Sequence, residues 1–320
     1  MRFLTIIAAV LFCACGHTQE VVRTFILGDT IVQLVVHRSE KPGPLYYNMH
    51  DDENTSVDAA MDIIEDKGGT LFELVHSGNR YIGFSVDSVR YEIDPNRIYT
   101  DAGIWRELRR IMVQDSFLMV QEMYTQDTLR LGQVRDSLFS AGDSLLYYAL
   151  RNQDSGSEVY VIVQDGMLST RLPLPPLFFD AVDTVVFQMV RAFADSLLSA
   201  MQIGSQDLII ALHNNTNNGY CLGSYLVDNI YQDEARATYR GLHPDPDDFY
   251  FVTERRIYEQ LQPNQYHIIL QDNERMTDDG SLSVYCGQRG IHYVNVEAQH
   301  KHEKEQKEML TLLLERLGKN

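Results

Sequence analysis

The stretch Asn48-Met49-His50-Asp51-Asp52-Glu53 places an imidazole and a carboxylate three residues apart, where an apolar run ends and a helix begins. Leu45-Tyr46-Tyr47 reads as the strand that delivers His50, and Asn54-Thr55-Ser56 offers capping side chains for a helix through Val57, Ala60, Ile63 and Ile64. His50 and Glu53 therefore straddle a strand-to-helix turn from which both can reach one metal ion. Imidazole nitrogen and carboxylate oxygen are ligands of catalytic zinc, which keeps one position open for water. A His and a Glu so spaced also occur in plain solvated turns, so the chemistry rests on what joins them.

Three other run ends do so. Asp207-Leu208-Ile209-Ile210-Ala211-Leu212 is a buried-strand pattern that ends at His213, Tyr293-Val294-Asn295-Val296 ends at Glu297, and a run from Ser88 to Ile93 ends at Asp94-Pro95-Asn96-Arg97. In a parallel sheet such ends share one edge, and open α/β folds build their sites there. His50, Glu53 and His213 then supply two imidazoles and a carboxylate for zinc, and Glu297 is left as a base. Each residue has a plainer reading: His213 as an exposed loop histidine, Glu297 as a cap or a partner of Lys301, Asp94 to Arg97 as a turn only. Tyr250 and Tyr285 are further candidates for a substrate-facing phenol, and His243, His267, His292, His300 and His302 read as surface or core histidines.

The elements that must position these residues follow a strand–helix–strand alternation. A hairpin over Thr24 to His37 turns at Gly28-Asp29, Lys41-Pro42-Gly43-Pro44 is a loop, and Gly68-Gly69 turns the first helix into a strand from Thr70 to His76. Strand, helix, strand implies a parallel unit. Tyr81 to Val86, Ser88 to Ile93 and Tyr266 to Leu270 are further strands, and His300 to Leu317 is a charged helix whose stripe of Met309, Leu310, Leu313 and Leu314 packs on a core. The expected fold is α/β, a mixed and largely parallel central sheet flanked by helices. Between Ala102 and Met201 the character changes to a helical span near Ile104 to Met123, polar Gln126 to Asp143, a strand at Val159 to Val163, Pro-rich Leu172 to Pro176 and a second helix through Met201. This segment, about 105–200, carries no catalytic motif and reads either as a substrate-covering insertion or as scaffold.

The chain's 320 residues, 44% hydrophobic and 22% charged, suffice for one large domain or two modest ones. A formal charge of -18 argues against a nucleic-acid partner. Met1-Arg2, an apolar stretch from Phe3 to Phe12, and Cys13-Ala14-Cys15 read as an export signal over residues 1–15. Its end looks like a relaxed bacterial lipobox, which makes Cys15 the expected lipidated residue and the membrane's only point of attachment. An ordinary cleaved signal is the alternative. Residues 16–320 are then the mature domain of a periplasmic or cell-envelope protein, in which Cys221 and Cys286 are either a disulfide or two buried thiols.

The order and surroundings of the candidate residues resemble the zinc carboxypeptidase superfamily, most closely its aspartoacylase and succinylglutamate desuccinylase branch. Arg90-Tyr91-Glu92-Ile93-Asp94-Pro95-Asn96-Arg97-Ile98-Tyr99 looks like that branch's R-Y…D-x-N-R-I-F segment, Leu212-His213-Asn214-Asn215-Thr216 is similar to its L-H-N-T-T segment, and Val296-Glu297-Ala298-Gln299 resembles the stretch around its catalytic glutamate. These matches cover a few tens of residues. The resemblance implies that His50, Glu53 and His213 bind Zn2+, that Glu297 is the general base, that Arg90 steadies the oxyanion, and that Asn96 and Arg97 hold a substrate carboxylate. Two departures stand out: the family's G-x-H-G-N-E surroundings are replaced by Asn48 to Glu53 with Asp51 and Asp52 added, and about a hundred residues separate Arg97 from His213, more than a crossover needs.

The function expected is an exported zinc hydrolase that cleaves an amide near a free carboxylate, a carboxypeptidase or amidohydrolase acting on small molecules, peptides or cell-wall fragments. Ile209 to Asn215 also resembles the S-I-H-A-N stretch of N-acetylmuramoyl-alanine amidases, whose glutamate ligand lies well after the first histidine. A lipoprotein that binds without catalysis is the third reading, for which a base and an oxyanion partner at a metal have no use.

Overall fold

The computed structural model describes residues 8–9, 18–87, 89–108, 145–151, 158–164, 167–170, 182–206, 208–217 and 219–318. The export-signal residues apart from Ala8-Ala9, with Cys15, and the spans 109–144 and 171–181 lie outside the described residues. The strands are β1 (Ala8–Ala9), β2 (Thr18–Leu27), β3 (Thr30–Ser39), β4 (Leu45–Asn48), β5 (Thr70–Val75), β6 (Ile82–Val86), β7 (Val89–Ile93), β8 (Leu145–Arg151), β9 (Glu158–Gln164), β10 (Met167–Thr170), β11 (Leu208–Asn215), β12 (Ala235–Tyr239), β13 (Phe249–Val252), β14 (His267–Gln271) and β15 (His292–Gln299). The principal helices are α1 (Asn54–Lys67), α2 (Val182–Ala200), α3 (Arg255–Leu261), α4 (Leu282–Arg289) and α5 (Glu303–Leu317).

The chain divides into two compact units, Met1–Ile104 with Met189–Asn320, and Trp105–Gln188. Within the second, β8, β9 and β10 form an antiparallel three-stranded sheet, and Trp105 stacks on Phe187. The first is built on a ten-stranded sheet in the order β1-β2-β3-β5-β4-β11-β15-β13-β14-β12. Its centre, β5-β4-β11-β15, is parallel. Antiparallel β2 and β3 flank one side, and β13, β14 and β12 the other, with β13 running against β15. The molecule is thus α/β, its large mixed sheet flanked by helices.

The central strands are short and buried on both faces, which is why they read as continuous apolar runs. In β4, Tyr46 enters a core with Ala60, Ile64, Leu71, Ile210, Leu212 and Leu310. Its neighbour Tyr47 points to the opposite face, stacks on Phe72 at 5.2 Å and donates its hydroxyl to the Met201 carbonyl (2.9 Å). Helix α5 lays Met309, Leu310 and Leu313, all fully buried, against the first of these faces, as the stripe predicted.

Two expectations change. The hairpin of β6 and β7 is a separate two-stranded sheet, so Asp94 to Arg97 leaves a satellite hairpin and not the main sheet. Helix α1 begins at Asn54, with Glu53 in the N-cap position making no side-chain cap. Glu53 spends its carboxylate elsewhere, and the helix end is satisfied from across the sheet edge, where Asn214 Oδ1 accepts from Ser56 N (2.9 Å). Among the described residues no helix is long and apolar enough to cross a membrane, and Cys221 and Cys286 are both free.

Leu310 is fully enclosed between α1 and the sheet, so Leu310→Ala should lower unfolding free energy by about 2–5 kcal/mol. Denaturant titration checks this.

Candidate metal centre

Three backbone segments bring the candidate ligands together. His50 follows β4, Glu53 opens α1, and His213 lies within β11, which pairs in parallel with both β4 and β15. All three side chains are buried, at 1%, 1% and 5% exposure. His50 Nδ1 lies 2.7 Å from Glu53 Oε1, His213 Nδ1 lies 3.0 Å from Glu53 Oε2, and the two Nδ1 atoms are 3.2 Å apart. His50 has a carboxylate oxygen on each ring nitrogen, Glu53 Oε1 at Nδ1 and Asp94 Oδ1 at Nε2, and a neutral imidazole, with one N–H, satisfies only one of them unless the ring is protonated or a cation takes the place of the second proton. A tetrahedral zinc ion with bonds of about 2.0–2.1 Å would hold its ligand atoms about 3.3 Å apart. The donor set and its spacing therefore fit a divalent ion, and the group His50, Glu53, His213 could hold one.

The surroundings orient these ligands. Asp94 Oδ1 receives the far nitrogen of His50, Nε2, at 2.8 Å, the carboxylate–histidine pairing that fixes tautomer and ring angle in metal sites. Asn96 Nδ2 lies 3.4 Å from His213 Nε2. Gln306, fully buried on α5, donates to the carbonyls of His213 (3.2 Å) and Val296 (3.1 Å) and accepts from Asn214, tying the ends of β11 and β15 together. Asn48 Nδ2 donates to Ser56 Oγ, which in turn donates to the Glu53 carbonyl (2.7 Å) and holds the turn between His50 and Glu53.

Glu297 stands beside the ligands without joining them. It is the register partner of His213 on the neighbouring parallel strand, so the two side chains leave the same face about 4.8 Å apart. Its Oε2 accepts from Asn295 Nδ2 (2.8 Å), and Lys301 is not its partner. Burial and the nearby Glu53 charge push its pKa up to about 8. For His50, burial opposes charge, yet Glu53 and Asp94 on either side prevail and raise it to about 9. Burial would also raise Glu53, but His50 and His213 hold it well below the usual carboxylate range. His213 is lowered by burial.

Arg90 is the residue the structure does not bring in. It is exposed on β7, its guanidinium over Gly83 of the facing strand. The cation at the centre is Arg80, whose Nη1 donates to Glu53 Oε1 (3.1 Å) and whose Nη2 lies 3.4 Å from Asp94 Oδ2. No motif signals Arg80; it arrives through Asp51, whose Oδ2 accepts from three successive backbone N–H groups, His76 (2.7 Å), Ser77 (2.7 Å) and Gly78 (2.6 Å). Asp51 is thus an anchor for the loop that ends in Arg80 and adds no ligand to the cluster. Asn96 and Arg97 reach the centre's edge but are already engaged, Asn96 Oδ1 by Leu282 N (3.3 Å) and Arg97 by Asp279. Tyr250 lies in the core with its hydroxyl on the Met309 carbonyl, and Tyr285 sits under the Arg289 guanidinium. Tyr220 packs edge-on against Phe249, the antiparallel partner of Glu297, and pairs hydroxyls with Tyr225.

A second group, Asp245, Asp248 and His302, could also hold a cation. Its geometry serves another purpose too: His302, at the N-cap of α5, lies 3.0 Å from Asp248, joining that helix to the loop before β13.

No protein-family model matches the chain, and comparison with curated proteins finds no significant match.

Removing either imidazole, His50→Ala or His213→Ala, should abolish stoichiometric binding at the first site. Asp94→Ala should weaken it by about 10–100-fold, the range for a residue supporting a ligand. Elemental analysis after dialysis distinguishes the three. The pH dependence follows from His50, which keeps its proton up to about pH 9 in the ion-free protein, while Glu53 is already ionised. Each bound ion must displace that proton, so apparent affinity should rise about tenfold per pH unit between pH 6 and 9 and then level off. Chelator competition at several pH values measures the slope, and a flat profile would contradict the protonated His50.

Proposed function

We propose that this protein is an exported zinc-dependent hydrolase of amide bonds, of the aspartoacylase and carboxypeptidase kind. The observation that carries the reading is the division of labour at one sheet edge. Two imidazole Nδ1 atoms and both Glu53 oxygens converge on a common point, and a fourth side chain, Glu297, stands beside them with its carboxylate uncommitted to the cluster. A purely structural metal site is closed by a fourth protein ligand, whereas a catalytic one leaves a position for water. Zinc held there would polarise a scissile carbonyl and lower the pKa of water to about 7.

The chain's own residues supply the rest. Burial and the Glu53 charge hold the Glu297 carboxyl up in the ion-free protein; a cation at Glu53 would offset that charge and favour the ionised form, which accepts a proton from the attacking water and returns it to the leaving nitrogen, away from bulk solvent. Asp94 holds the His50 ring at its Nε2 throughout. Arg80 takes the part expected of Arg90: it is the cation beside the cluster, half exposed toward an incoming substrate, with donors beyond those given to Glu53 and Asp94. The position of Glu53, three residues after His50 and touching both imidazoles, favours this reading over the muramoyl-alanine amidase arrangement.

Glu297→Gln keeps shape and removes the proton acceptor, so zinc should stay bound while turnover of an N-acyl amino acid or muropeptide found by screening falls about 10²-fold or more. Loss of zinc in this variant would make Glu297 a ligand, and an unchanged rate would remove its catalytic role. Arg80→Ala should lower turnover on the same substrate by about 10²-fold and Arg90→Ala should not, a contrast that steady-state kinetics resolves.

A further inference from the structure

Glu53 is held by three neighbours that differ in what they can give up. His50 Nδ1 stands 2.7 Å from Oε1 and His213 Nδ1 3.0 Å from Oε2, and an imidazole becomes a ligand once its facing nitrogen carries no proton. The third neighbour is Arg80, whose Nη1 donates to the same Oε1 at 3.1 Å. A guanidinium keeps its charge at any working pH. It cannot become a ligand, and beside a divalent ion on that oxygen it is a like charge.

This sets Arg80 apart from Asp94, a carboxylate behind His50 that strengthens a ligand. Arg80 also reaches Asp94, with Nη2 3.4 Å from Oδ2, so the guanidinium bridges the ligand carboxylate and the one behind the imidazole. Glu53 and Asp94 are its hydrogen-bond and ion-pair partners among the described residues.

The mounting of Arg80 lets it yield. It stands in the loop between β5 and β6, where Ser77, Gly78 and Asn79 are exposed, and 39% of its side chain is open to solvent. Gly78 has a φ of +70°, and nothing lies within 4 Å of the position a Cβ would take there. The loop is pinned at its start, where Asp51 gathers the amides of His76, Ser77 and Gly78, and the arginine follows two residues after the last of them.

We propose, building on the metal reading of this centre, that Arg80 is a displaceable counter-cation. It neutralises Glu53 before an ion is loaded, opposes the incoming ion, and turns outward once Glu53 is coordinated, with Asp94 as its remaining anchor. No covalent bond changes in this exchange; one cation replaces another on the same oxygen. The centre thereby gives up affinity and gains a guanidinium donor that is released on the open side only when the ion is in place.

The test uses the full chain, stripped with a chelator and reloaded with zinc. Chelator competition should give Arg80→Gln an affinity at least about tenfold above the wild type, because a like charge is gone. Arg80→Lys, which keeps the charge, should gain little. Loss of a residue that only braces a ligand has the opposite sign, a fall of about 10–100-fold. In the wild type, modification of Arg80 by phenylglyoxal, followed by peptide mass spectrometry, should run several-fold faster with zinc than without. Thermal midpoints establish that the variants are folded. An Arg80→Gln affinity equal to or below the wild type, an Arg80→Lys that gains as much as Arg80→Gln, or labelling that zinc leaves unchanged or slows overturns the proposal alone. A wild type that binds no zinc overturns the metal centre, the hydrolase reading and this proposal together. Both readouts are of binding, so a loaded protein without hydrolase activity counts against the hydrolase reading only.

Discussion

The structure at the sheet edge depends on one constraint: a carboxylate, Glu53, is taken almost wholly out of water and must be met by positive charge. An isolated buried anion is prohibitively costly, so such groups are paired or coordinate metals. Here His50, His213 and Arg80 all close on it. His50 in turn faces a carboxylate oxygen on each of its ring nitrogens, where a neutral ring has only one N–H to give. That combination, an anion surrounded by nitrogen donors with lone pairs turned inward, is stabilised by a proton on His50 or by a divalent cation in its place.

Everything near the site serves to hold that arrangement against relaxation. The helix that begins at Glu53 gives up a side-chain cap of its own, and Asn214, the neighbour of His213, supplies the missing acceptor from another strand. Gln306 crosses from α5 to the carbonyls of His213 and Val296. Hydrogen bonds buried in this way are worth most when every member is satisfied, and they explain why a helix that looks like simple core packing also carries a polar residue on its buried face.

The two arginines trade places for a physical reason. Arg90 belongs to a strand of a small hairpin in which alternate side chains face solvent, and register puts it outward. Arg80 sits in a loop with no secondary-structure period of its own, and is delivered by Asp51, the residue next to His50, whose carboxylate gathers three consecutive amides of that loop. Such backbone concavities bind anions readily. The aspartate next to His50 and the presence of Arg80 at the cluster are thus one structural event.

From sequence alone, the α/β class, the parallel β4–α1–β5 unit, the core stripe of α5 and the convergence of His50, Glu53 and His213 were all legible, because each rests on local periodicity or on residues placed at run ends. Strand β13, only four residues long and antiparallel to β15, went unread because so short an apolar run has no period to detect. The separate hairpin of β6 and β7, the outward register of Arg90, the entry of Arg80 and the claim of Asp279 on Arg97 were decided by tertiary structure. Each depends on a contact between segments far apart in the chain, up to the span from Arg97 to Asp279, and residue type at either end does not say whether the partner will be a substrate or the protein itself.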